Sequence, residues 1–160
     1  MTTNETHTLH ITKEPPSREI VTGIQFSERA RQLLSEPLKG VFAILKPDGS
    51  IVQTEMWYSL RGDDTILMNT AKFRHKYHHL QQDNPSVSLL VSAGNYQYVS
   101  MNGTVVLNDD PEIAQNDIRH LAERYEGKEA AEKMMNEEFS REKRVSIILT
   151  PTKITEYFSK

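Results

Sequence analysis

Residues 65–80, TILMNTAKFRHKYHHL, constrain the fold more than any other stretch. Thr65–Met68 is a short apolar run of the kind that forms a strand. From Phe73 the period changes: Phe73, Tyr77 and Leu80 fall at i, i+4 and i+7, one face of a helix. Asn69-Thr70-Ala71-Lys72 lies between them as a polar connection suited to capping that helix. A helix N-terminus presents unpaired N–H groups and a partial positive charge, so it favours anions. Lys72, Arg74 and Lys76 add three cations there, with no acid before Asp83. Strand, polar cap and basic first turn together suit a phosphate group. The alternative is a solvated basic helix face.

The rest of the chain reads as strands and short helices around this unit. Residues 1–23 are polar, Thr-rich and carry Pro15-Pro16, which predicts an extended or mobile arm with His7 and His10 solvated. The remainder, 24–160, is expected to form one domain, because 160 residues suffice for a single core. Ser27 is placed to N-cap a helix over Glu28–Ser35, with Leu33 and Leu34 inward and Pro37 beyond its end. Gly40–Lys46 predicts a strand, Pro47–Ser50 a turn, and residues 51–60 a second strand. With the 65–68 strand these make an antiparallel meander. Val87–Val91 and Tyr96–Leu107 predict two more strands about a turn at Gly94-Asn95, with Gly103 marking a bulge or a close backbone approach. On that strand Tyr96 and Tyr98 share one face and Gln97 takes the other. Asp109-Asp110-Pro111 opens a helix that Gly127 ends, and Glu129–Phe139 forms another. Residues 144–150 and 153–158 close the chain as two strands around Pro151. This inventory implies a mainly β fold, a closed or half-closed antiparallel barrel with peripheral helices.

Composition excludes several classes. There is no cysteine, hence no disulfide, thiolate metal site or cysteine nucleophile; a cytoplasmic location is compatible with that. No run approaches the roughly 20 apolar residues of a membrane helix, and no signal-peptide h-region is visible, so no membrane partner is expected. Net charge is −3, and residues 108–142 hold eleven Asp or Glu against five Lys or Arg, which opposes a nucleic-acid partner. Gly-rich dinucleotide, Walker-type and glycine-framed serine motifs are all missing. His75 and His79 stand at i and i+4, but neighbouring cations oppose a divalent ion and no metal site is assigned. Trp57-Tyr58 sits on a predicted strand and reads as core.

The order of features resembles a known family. GVFAILKPDGS, a strand ending in MWY, NTAKFRHKYHHLQQDNPSVSLLVS, YQYVSMNGTVVL and KRVSIILTPTKITEYF are similar to the split β-barrel flavin and deazaflavin oxidoreductases of the pyridoxamine 5'-phosphate oxidase-like superfamily. The resemblance covers residues 27–158, and its hallmark is Arg74-His75-Lys76 ahead of the Asp-Asn-Pro break. It implies an antiparallel Greek-key-type split barrel whose last strands form a closing hairpin. It implies a homodimer and a small-molecule substrate, and it looks most like the branch that uses the deazaflavin coenzyme F-420, with flavin mononucleotide (FMN) as the alternative. Asn69, Thr70, Lys72, Arg74 and Lys76 match the segment that holds the cofactor phosphate, and His79 extends the basic helix. Gln53, Thr54, Glu55 and Met56 match the strand beside the tricyclic ring, and residues 95–98, with Gln97 and Tyr98, a stretch that reaches the cofactor from the partner chain. Val52 and Glu55 depart from the small or amide residues expected beside the ring. The implied chemistry is hydride transfer to or from an unsaturated or quinone-like molecule, with no acid or base assigned. A non-enzymatic cofactor-binding module is the competing class.

Overall fold

The computed structural model describes residues 18–159. Among them eight strands form one antiparallel sheet: β1 (Arg18–Gly23), β2 (Gly40–Leu45), β3 (Ile51–Met56), β4 (Ser59–Leu60), β5 (Ile66–Ala71), β6 (Val87–Gly94), β7 (Gln97–Asn108) and β8 (Arg144–Ser159). Their order is β3-β2-β6-β7-β8-β5-β4, with β1 also paired to β8. Because β2 pairs β6 and β5 pairs β8, the chain leaves and rejoins the sheet in Greek-key fashion. This is a split barrel with peripheral helices.

Among the described residues four helices accompany it: α1 (Glu28–Ser35), α2 (His75–Leu80), α3 (Pro111–Glu126) and α4 (Lys128–Glu137), with a 3₁₀ turn at Phe139–Arg141. The barrel interior is filled by alternate strand residues, among them Phe42, Ile44, Leu89, Met101 and Leu149, with Leu33 and Leu34 of α1. A second cluster, Leu67, Ile118, Leu121, Ala131, Met135 and Phe139, seats α3 and α4 on the sheet. Ser27 caps α1 as its sequence position predicts, accepting from the Ala30 N–H at 3.0 Å. The Ser27 N–H and hydroxyl in turn donate to the buried Glu156 carboxylate at 2.8 and 2.5 Å, tying α1 to β8.

Several expectations are corrected. The meander does not form, because β3 stops at Met56 and does not pair β5. Tyr58 explains the break: its ring is fully buried, the Tyr125 hydroxyl accepts from its N–H at 3.1 Å, and its carbonyl accepts from Arg124 Nε at 3.0 Å. Side chains thus satisfy backbone groups that a ladder would have used. Asn69–Ala71 are not a helix cap; they extend β5 against β8 as far as Ala71↔Arg144. Helix α2 starts only at His75, Arg74 makes no side-chain cap, and Phe73 is exposed rather than part of a buried face.

Tyr96 lies in the β6–β7 turn with φ +58°, so it does not share a strand face with Tyr98. The closing segment is one 16-residue strand, not a hairpin. Pro151 is tolerated inside it because the β7–β8 register shifts there, Gly103 facing Pro151 while Asn102 faces Lys153. Of the segment read as an arm, Arg18–Gly23 is a strand on β8. The reading of residues 1–17, with His7 and His10, lies outside the described residues.

Candidate functional site

The order of strands leaves β3 and β4 without a further neighbour at the two ends of the sheet. At this opening β3 is linked to α2 by side chains: Lys76 Nζ donates to Thr54 Oγ1 at 3.2 Å and contacts Met56 Sδ at 2.8 Å. Beside that link lies a cavity of about 240 Å³ bounded by β3, β5, α2, α3 and the start of β8. A second chamber of about 420 Å³ adjoins it, sharing Thr54, Arg74 and Lys76 and adding Val52, Phe73 and His75.

Seven of the residues singled out in the sequence meet at the inner cavity: Thr54, Glu55, Met56, Asn69, Thr70, Arg74 and Lys76. The others do not line it. Gln53 is exposed on β3, and His79 is half-buried on α2 away from the cavity. Lys72 is taken by Asp109, its Nζ 2.9 Å from Oδ2. Gln97 and Tyr98 begin β7, where Tyr98 stacks on Tyr157 at 5.1 Å between centroids. Sequence reasoning missed Arg144, Trp57, Ile118, Leu121 and Phe139, which complete the lining. Trp57 is half-buried and stacked on Tyr125 at 5.3 Å; it belongs to the cavity wall rather than the barrel core, and it is not on a strand. The available signal for Arg144 was a cation at the head of an apolar strand, a position with no structural use unless something pairs it.

Electrostatics set the character of the site. Neither Arg74 nor Lys76 has a carboxylate partner among the described residues. Burial, with help from the charges of Arg74 and Arg144, brings the Lys76 ammonium down to about 8. Arg144 is held below the usual guanidinium range by burial, against the stabilising Glu142 carboxylate. Thr70 belongs to the wall of the inner cavity, and its buried Oγ1 has no hydrogen-bond partner among the described residues. Cations that no carboxylate neutralises, on the wall of an open cavity, make a receptor for an oxygen-rich anion. A phosphate-bearing cofactor fits this donor set.

Comparison with known proteins agrees with the fold. The sequence profile of the family described as pyridoxamine 5'-phosphate oxidase matches residues 26–158. Among solved structures, the chain is similar to an F-420 reductase at 24% identity and TM-score 0.63, over 81% of this chain and 98% of that one. A conserved hypothetical protein of Mycobacterium tuberculosis matches at 26% identity and TM-score 0.65, over 83% and 86%. A putative 5-nitroimidazole antibiotic resistance protein of Bacteroides thetaiotaomicron matches at 13% identity and TM-score 0.59, over 92% and 96%. No curated protein matches the sequence. With the profile spanning nearly the whole described chain, the protein belongs to the pyridoxamine 5'-phosphate oxidase family.

Proposed function

We propose that this protein is an oxidoreductase that uses the deazaflavin coenzyme F-420 to move a hydride to or from an unsaturated or quinone-like small molecule. The observation that carries the reading is the pair Arg74 and Lys76, cations without a carboxylate partner among the described residues at the mouth of the barrel. A purely structural site would match the half-buried Lys76, because burying a charge alone costs stability. An anionic ligand removes that cost.

In this reading Arg74, Lys76 and Thr54 hold the phosphate, and β3 and Trp57 flank the ring. The cofactor supplies the hydride chemistry; the chain binds, orients and excludes water. Choice of cofactor rests on the outer chamber. It continues past the two cations along Phe73 and His75, where the anionic tail that distinguishes F-420 from FMN has room. FMN is the second reading, favoured by Glu55 on the inner rim, which opposes additional negative charge. The F-420 reductase among the similar structures supports the first choice. A homodimer in the cytoplasm is the setting this reading takes. Absorbance of the purified protein after incubation with each cofactor and removal of excess tests it. A retained deazaflavin band, shorter in wavelength than a flavin's and strongly fluorescent, is expected; retention of neither chromophore contradicts it.

A further inference from the structure

We infer that Tyr125, which lies outside the cavity, is a positioning residue that holds the Trp57 indole as the wall on which the cofactor ring packs. This rests on the reading above, in which Trp57 flanks the ring.

Trp57 sits where the backbone supports it least. Strand β3 ends at Met56 and β4 begins at Ser59, so residues 57–58 belong to no ladder. In such a connection packing alone fixes a side-chain rotamer. The two neighbours turn opposite ways. Tyr58 is fully buried in the barrel core, whereas Trp57 packs on the cluster under α3 and α4 and lines the inner cavity. The indole lies on the Tyr125 ring, 5.3 Å between centroids and 10° from parallel, and Phe139 meets it at 89° and 6.5 Å. Stacked and edge-on pairs are the arrangements that aromatic rings favour. Tyr125 does not itself line the cavity, so its influence there passes through Trp57.

Tyr125 is held in turn. Its hydroxyl donates to the Leu38 carbonyl at 2.5 Å and accepts from the Tyr58 N–H at 3.1 Å. Arg124, beside it in the last turn of α3, donates to the Tyr58 carbonyl at 3.0 Å and to the Leu34, Ser35 and Glu36 carbonyls at the end of α1. The end of α3 thus grips the connection that carries Trp57 through its backbone and stacks on the indole as well. An indole already in place loses no rotamer freedom when a ligand arrives. The two parts of Tyr125 have separable tasks: the hydroxyl satisfies backbone, and the ring sets the wall.

The test uses the full chain, whose single tryptophan makes the emission a report on Trp57 alone. F-420, FMN and inorganic phosphate are titrated into the wild type, Tyr125→Phe and Tyr125→Leu, and acrylamide quenching of the emission is measured in each. Tyr125→Leu is expected to expose Trp57 to acrylamide and to weaken cofactor binding by about tenfold, while phosphate affinity stays within about threefold. Tyr125→Phe keeps the stack, so quenching and cofactor affinity should stay within about threefold of wild type. Its stability should fall, because the Tyr58 N–H loses its acceptor. Equal cofactor affinity in the wild type and Tyr125→Leu overturns the inference. Cofactor and phosphate weakened alike also overturns it, since that marks a site loosened as a whole. If Tyr125→Leu does not fold, the other two proteins decide. Cofactor affinity lost with the hydroxyl alone, or quenching of wild-type Trp57 unchanged by bound cofactor, overturns the inference. Retention of neither cofactor by the wild type is a distinct result: it overturns the cofactor reading, and with it the assignment of this wall to the ring.

Discussion

Lys76 Nζ lies 3.2 Å from Thr54 Oγ1, joining α2 to β3 across the gap where the two elements share no backbone ladder. The neighbouring charges are repulsive, since Arg74 and Arg144 both act to drive its proton off. The apo site is therefore a local liability that an anion relieves. Such a conflict between stability and chemistry is typical of a binding site.

Lys76→Met should make the apo protein more stable at neutral pH. Burial holds the folded-state ammonium at about 8, below its ordinary 10.5. The folded state thus disfavours the charged form, and the cost is fully present below pH 8. Between about 8 and 10.5 the unfolded chain keeps a proton that the folded chain has lost, so wild-type stability rises with pH and the cost disappears above that window. The gain in Lys76→Met should be about 1 kcal/mol at pH 7, since water reaches part of the side chain and screens the charge. Denaturant melts at pH 7 and pH 10 check this: the variant should lead at pH 7 and lose its advantage at pH 10.

Inorganic phosphate should bind less tightly as pH rises through about 8, because the apo Lys76 loses its charge there. Binding below that pH should show no such trend from Lys76, and Lys76→Met should remove the step. Calorimetry at pH 7 and pH 9 reads it directly; a step that persists in Lys76→Met assigns the titration elsewhere.

Gly103 faces Pro151 at the shifted register of β7 and β8, and a Cβ there would lie 2.5 Å from the Thr150 carbonyl oxygen. Backbone cannot yield as a flexible side chain does. Gly103→Ala should cost about 1–3 kcal/mol, measured by chemical denaturation. Unchanged stability would show that the strand pair slides freely there.

The partner chain is a further proposal. Val41 and Leu90 face each other across β2 and β6, both more than a third exposed on the outer sheet face. Strand β7 is paired on both edges and so has only a face to offer. Light scattering at micromolar concentration should give twice the 18.4 kDa chain mass, and Leu90→Glu should reduce it to one. A wild-type mass of 18.4 kDa contradicts the dimer.

Local signals were the legible ones. Ser27, Asp110 and Gly127 mark helix ends by cap chemistry that depends on a few neighbouring atoms, and each ends or begins the helix it predicted. Strand pairing was less legible, because it depends on distant partners. Asn69–Ala71 read as a cap until β8 supplied a ladder for them, and Tyr58 broke a strand through bonds to Arg124 and Tyr125. The site divides in the same way. Arg74 and Lys76 stand out as cations without nearby acids, whereas Arg144 enters from about seventy residues away through its pairing with Ala71. Lys72 looked equivalent to its neighbours, but Asp109 takes its charge.

The central claim is tested most directly by titrating F-420 and FMN side by side into the wild type, Arg74→Ala and Lys76→Ala at low and moderate salt. The account predicts that F-420 binds at least about tenfold more tightly than FMN, that its affinity falls as salt rises, and that either substitution weakens it by about 1.5–3 kcal/mol. FMN binding as tightly as F-420 would reverse the choice of cofactor. Equal affinity of the wild type and both variants for each cofactor would contradict the account itself.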